Sequence, residues 1–167
     1  MRFAASVEYE GSNFFGWQRQ SNVNSIQQEI ENSLEKILQS DIKIQGSGRT
    51  DASVHALGQV FHFDTDVERA PHSLVKGLNS FLPKTIRIKW VKKVPDDFHA
   101  RFSAISREYQ YLLYSSPINS SILFRHCGWT FYDLDCKLIE VASNKFIGTH
   151  DFSAFRSSEC QAKSPIR

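Results

Sequence analysis

Residues 42–65, IKIQGSGRTDASVHALGQVFHFDT, contain two β-like runs joined by a loop with no room for a helix. Ile42 and Ile44 alternate with polar residues ahead of Gly46, and Val60, Phe61 and Phe63 are β-formers beyond it, which predicts strands over 42–47 and 58–64. Upstream, Ser25 with Gln28 three residues on is a capping-box pattern, and Ile26, Ile30, Leu34, Ile37 and Leu38 recur at helical spacing. An amphipathic helix over 25–39 follows, preceded by a strand at 2–9 and a loop at Gly11–Gly16. Downstream, Pro71 suits the first turn of a helix over 71–80 with Leu74, Leu78 and Phe81 on one face, stopped before Pro83. TIRIKWVKKV, 85–94, then alternates apolar and basic residues as a half-exposed strand does.

The order strand, helix, strand, strand, helix, strand predicts a mixed α/β (α+β) chain whose residues 1–100 form a ferredoxin-like split βαβ two-layer sandwich. Residues 101–167 read as the beginning of a second, similar unit, incomplete as it stands. In it, 104–114 (AISREYQYLLY) is expected to be a long strand and 134–147 a helix marked by Leu134, Leu138, Val141 and Ile147. A further strand is due where the chain reaches Ser164–Arg167.

At 167 residues with 41% hydrophobic content, the chain can bury a core. No window approaches the roughly 18 apolar residues of a membrane span, and acids come too early in MRFAASVEYEG for a signal peptide, so a cytoplasmic protein is expected. Cys127, Cys136 and Cys160 are odd in number and lack C-x-x-C spacing, and read as buried or half-buried thiols. A net charge of +2 is too small to diagnose nucleic-acid binding by itself.

Asp51 is the first chemical candidate: Gly46 and Gly48 allow a turn that holds one carboxylate exposed at the end of a strand. The plainer alternative is an Asx-turn aspartate capping its own loop. Arg49 reads as a partner for that carboxylate, a phosphate contact or a solvated loop charge. His55 and the His62-x-Asp64 pair, the latter on one strand face, suggest metal ligation weakly, because no third ligand follows at a recognisable spacing; no metal and no other cofactor are expected. Tyr109 and Tyr111, two apart on the expected strand, are core rings or stacking surfaces for an extruded base, with Arg101 and Arg107 flanking them. Lys84, Arg87, Lys89, Lys92 and Lys93 fit either phosphate contacts or a solvated edge strand. FFGWQRQ, 14–20, mixes aromatic and basic groups in a loop, which fits RNA contact or a Trp17 that plugs the core.

GRTDASVHA, 48–56, closely resembles the GRTDAGVHA signature of the tRNA pseudouridine synthase A family. YEGSNFFGWQRQ, GLNSFLP, FHARFSAISREYQYLLY and GTHDFSAF are similar to that family's words in that family's order, from about residue 3 to the end of the chain. The resemblance implies a cofactor-independent isomerisation of uridine to pseudouridine. Asp51 is then the nucleophile, attacking C1′ of the ribose or C6 of the uracil. Tyr109, in the family's Arg-x-Tyr, would stack on the target base, and Arg49 would hold the flipped nucleotide, with Arg101 and Arg107 as further substrate contacts. The implied substrate is the tRNA anticodon stem-loop at tRNA positions 38–40, and the implied assembly a homodimer.

The sequence departs from the family pattern in two places. Ser53 stands where the family has glycine, which costs strain if the position takes a positive φ. Family members also continue for tens of residues past the end of this chain, so a C-terminally incomplete synthase is implied. The competing readings are a truncated, catalytically impaired tRNA-binding module and, more remotely, a metal-dependent hydrolase using Asp51, His55, His62 and Asp64.

Overall fold

The computed structural model describes residues 1–156 and 164–166, and the chain divides into two compact units, Met1–Gln110 and Tyr111–Arg167. The first unit runs β1 (Arg2–Tyr9), α1 (Ile26–Leu38), β2 (Gln45–Gly46), β3 (Ala56–Asp64), α2 (Pro71–Phe81) and β4 (Ile86–Val94). Its strands lie in the order β2-β3-β1-β4, antiparallel throughout. Each helix therefore links two strands separated by a third, which is the ferredoxin-like arrangement that the order of elements predicts.

One layer of side chains joins helices to sheet. Ile26, Ile30, Leu34 and Leu38 of α1 and Leu74 and Leu78 of α2 are buried, as are Phe3, Ala5 and Val7 of β1, Phe61 and Phe63 of β3, and Ile86, Ile88 and Val91 of β4. Phe3 stacks on Phe63 with ring centroids 5.6 Å apart. Fully burying a large apolar side chain stabilises by roughly 1.5–3 kcal/mol, so this layer supplies most of the driving force. The step from Ile88 to Val91 breaks strict alternation because Ser6 pairs with Trp90 while Val7 pairs with Ile88, leaving Lys89 as an extra residue.

The helix signals are realised with small differences. Ser25 caps α1 by accepting from Gln28 N at 3.3 Å, but the reciprocal half of the capping box is not made. Gln28 Oε1 is buried without a hydrogen-bond partner among the described residues. Phe81, expected on the buried face of α2, is exposed, with Lys36 Nζ 5.6 Å from its ring centre.

The strand expected over 42–47 shrinks to Gln45–Gly46. Ile42 and Ile44 are buried as their alternation implied, yet the backbone of Ile44 is satisfied by side chains rather than by a strand. Its N–H donates to the buried Glu31 carboxylate at 3.1 Å, and its C=O accepts from Gln27 Nε2 at 3.3 Å. Glu31 also pairs with Arg19 at 2.8 Å, tying the loop after β1 to α1.

The sheet face away from the helices carries His62, buried, whose Nδ1 accepts from Ala100 N at 3.2 Å. Its ring lies 4.7 Å from that of His99. Asp64 forms a two-point pair with the Arg2 guanidinium, at 2.8 and 2.7 Å. His62 and Asp64 thus hold the segment after β4 and the start of β1.

In the second unit, β5 (Leu113–Ser115) pairs parallel with β6 (Gly128–Thr130), and α3 (Cys136–Ser143) runs into a 3₁₀ turn at Asn144–Phe146. The long strand expected at 104–114 does not form: residues 104–112 carry no regular element, and pairing with β6 begins only at Leu112, whose C=O accepts from Gly128 N at 2.8 Å. Alternation proposes a strand, but the strand exists only where another backbone takes up its N–H and C=O groups. The helix expected over 134–147 is shorter at both ends, with Asp135 as its N-cap. Ile166 forms an isolated bridge with Asp151, and Arg167 lies outside the described residues. Cys127 is half-buried as expected, Cys136 is exposed rather than buried, and Cys160 lies outside the described residues. Among the described residues no helix is long and apolar enough to cross a membrane.

Candidate active site

The loop between β2 and β3 is built from behind. Trp17, 2% exposed, lies against Gly46, where a Cβ would meet the indole at 2.7 Å. Trp17 N donates to Thr50 O at 3.0 Å. Gly16, at φ 85°, lets the same segment approach closely: a Cβ there would meet Thr50 O at 2.5 Å and Asp51 C at 3.1 Å. The aromatic loop after β1 is therefore a brace for 46–56, with Trp17 in the core and Phe15 left exposed.

A second set of bonds comes from the strand ends. Tyr9 Oη lies 2.8 Å from Thr50 Oγ1 and 3.3 Å from Gln59 Oε1, and Gln59 Nε2 donates to Gly48 O at 3.1 Å. Burial pushes the Tyr9 phenol up from its ordinary pKa, against a smaller lowering by the Thr50 hydrogen bond, so it stays neutral. On the far side Ser53 N donates to Phe14 O at 3.2 Å and His55 Nδ1 accepts from Gly11 N at 3.1 Å.

The backbone strain is not where the glycine pattern placed it. Neither Gly46 nor Gly48 takes a positive φ; Ser53 does, at 66°. Gly46 is needed for its missing side chain, whereas the left-handed turn two residues after Asp51 is held by a serine.

Asp51 stands exposed on this scaffold, and its carboxylate makes no hydrogen bond or ion pair among the described residues. Arg49 is likewise exposed and unpaired among them. Arg107 reaches the loop, donating from Nη2 to Ser47 O at 2.9 Å and to Arg101 O at 3.0 Å. Arg101 lies over the Phe102 ring at 5.7 Å. Tyr109, two residues beyond Arg107, is 84% exposed and sits in irregular chain, so it does not share a strand face with Tyr111.

The basic residues of 84–93 lie on or beside β4, an edge strand, and several have local partners. Lys89 pairs with Glu8 at 3.0 Å, Lys92 lies over Trp90, and Arg87 donates to the carbonyls of Pro83 and Ile86 at 2.7 Å.

Sequence reasoning did not single out Tyr9, Gln59 and Gly16. Each meets the loop across 34 or more positions of chain, as Gly16 does Thr50, or from a strand whose polar residue looks ordinary in isolation. Gln59, a polar residue between Gly58 and Val60 of β3, was the one visible hint.

The fold is thus a ferredoxin-like sandwich that presents, on a loop braced from two sides, a carboxylate without a partner among the described residues. Residues 5–103 match the tRNA pseudouridine synthase family, and the chain belongs to that family. It is 50% identical over 166 residues to tRNA pseudouridine synthase A of Paraburkholderia xenovorans (strain LB400), covering 99% of this chain and 62% of that protein. The same protein of Burkholderia thailandensis is 47% identical over 167 residues, covering 100% of this chain and 62% of that protein. The chain thus spans about 62% of the length of the curated relatives it matches.

Proposed function

We propose that the protein isomerises uridine to pseudouridine in tRNA, with Asp51 as the covalent nucleophile. The carboxylate adds to the target nucleoside, at C1′ or C6, and the N1–C1′ bond breaks. The uracil turns in place, C5 bonds to C1′, the C5 proton leaves and N1 takes up a proton, and the carboxylate is released. The step needs a carboxylate that is ionised and unencumbered, and the observation that carries this reading is Asp51, exposed and without a partner among the described residues on a braced loop of GRTDA sequence.

In the same reading Tyr109 stacks on the flipped base, its exposed ring being available for that contact. Arg49 and Arg101 meet the phosphates around it, and Arg107 shares its guanidinium between the loop and the substrate. Residues 1–100 form the half that carries the nucleophile, and 101–167 belong to a second catalytic half. The substrate is the anticodon stem-loop at tRNA positions 38–40, and the protein acts in the cytoplasm as a homodimer.

The test is incubation of unmodified tRNA with the protein and mapping of pseudouridine by carbodiimide reactivity. Pseudouridine is expected at positions 38–40. Asp51→Asn, an exposed isosteric change, is expected to fold as the wild type does and to lose turnover by several orders of magnitude. Activity retained in Asp51→Asn would falsify the nucleophile assignment. Wild-type protein that binds tRNA and forms no pseudouridine would favour the binding-module alternative.

A further inference from the structure

We infer that Tyr9, acting with Gln59, is a positioning residue for Asp51: a hydrogen-bonded ring from the buried strand ends sets where the carboxylate stands. The inference rests on the reading of Asp51 as nucleophile.

The direction of the bonds follows from counting protons. A phenol has one, and Tyr9 Oη gives it to Gln59 Oε1 at 3.3 Å. The 2.8 Å contact with Thr50 Oγ1 must then be donated by the threonine hydroxyl. Gln59 Nε2 completes the path to Gly48 O at 3.1 Å. The donors run Thr50, Tyr9, Gln59, and Gly48 O is the final acceptor, so the path starts and ends on the loop and encloses Arg49. Thr50 is also the residue before Asp51, and its carbonyl is held by Trp17 N at 3.0 Å.

Asp51 has no side-chain bond of its own among the described residues, so its main chain alone determines its position. That main chain is tied to two central strands of the sheet. Val7 pairs with Gln59 and Tyr9 with Ala56, so two steps along β1 match three along β3. The extra residue is a bulge, the irregularity that re-aims side chains beside active sites.

Packing alone does not call for the hydroxyl. The Tyr9 ring, 2% exposed, lies against Trp17 at 6.2 Å between centroids, a contact phenylalanine would keep. Tyr9→Phe therefore opens the ring of bonds, removing the contacts to Thr50 and Gln59, and leaves the core.

The experiment compares wild type, Tyr9→Phe, Thr50→Val, the double variant and Thr50→Ser by steady-state kinetics on tRNA and by amide hydrogen exchange. Tyr9→Phe is expected to lower kcat about tenfold with KM for tRNA within about twofold, because the loop still binds but presents its carboxylate less often in the attacking position. Amide exchange over 47–54 is expected to rise about tenfold while exchange in α1 is unaltered. Thr50→Val should give the same loss and the double variant little more, since both cut one ring. Thr50→Ser, which keeps the donor, should recover most of the turnover lost in Thr50→Val. Unchanged loop exchange in Tyr9→Phe, or additive losses in the double variant, would overturn the inference. Absence of turnover in the wild type would sink the functional reading instead, and loop exchange would still decide whether the ring anchors the loop.

Discussion

Helices α1 and α3 begin in the same way and end in different surroundings. Ser25 and Asp135 each cap with a side-chain oxygen: Ser25 takes Gln28 N, and Asp135 takes Lys137 N and Leu138 N. Both helices carry apolar residues at helical spacing. In α1 all of those residues but the half-buried Ile37 are buried, with Ile30 and Leu34 wholly covered, whereas none of α3 is buried and Leu138 and Val141 are exposed. Capping is a contract among neighbours in sequence and is fulfilled in both. Burial needs a second surface, and only α1 is given one within its own unit.

This contrast is measurable. Leu34→Ala leaves a cavity under the sheet and is expected to cost about 2–5 kcal/mol in denaturant unfolding of the protein. Leu138→Ala is expected to move stability by less than about 0.5 kcal/mol. Comparable losses at the two positions would show that α3 is covered after all.

Acid divides the two regions as well. Burial, then the neighbouring His99 and Arg2, hold the His62 imidazolium back, so its folded pKa lies below the ordinary 6.5. The unfolded chain then takes up a proton first as pH falls. Stability is full above about pH 6.5 and is lost progressively below it as the folded pKa is approached. Asp64, lowered from 3.8 chiefly by its Arg2 hydrogen bonds, adds a loss confined to pH below that value. In the other unit Asp151 is also lowered, but by the Ser153 hydroxyl and N–H two residues away, contacts that an unfolded chain re-forms easily. Denaturant midpoints should thus drop between about pH 8 and about pH 5, and the drop should shrink in His62→Gln. A slope that His62→Gln leaves intact would move the effect elsewhere.

A change of the opposite sign is expected where two turns take positive φ with different residues. Gly148 sits at φ 107° without penalty, whereas Ser53 sits at 66° with a Cβ. Ser53→Gly is expected to stabilise by about 1 kcal/mol, read as a shift in denaturant midpoint. Destabilisation would mean that the Ser53 side chain contributes more than its backbone costs.

The sequence alone determined whatever depends on near neighbours. The alternation of Phe61 and Phe63, the periodicity of Ile26 to Leu38, Pro71 at a helix start and two strands without a helix between them were enough for the sheet order, since few topologies accept that series of elements. The GRTDASVHA words pointed to Asp51, and the serine in place of glycine pointed to strain that appears at φ 66°. Tertiary structure decided what depends on distant partners. Glu31 and Gln27 replaced the ladder at Ile44, a bulge at Lys89 turned Val91 rather than Trp90 into the core, and residues 104–112 stayed irregular despite their alternation. Asp51 itself owes its place to Tyr9, Trp17 and Gln59, which reach its loop from both sides in sequence. Periodicity is written into a chain because it repeats locally. A hydrogen bond between Thr50 and Tyr9, 41 positions apart, comes into being only when folding brings the two segments together.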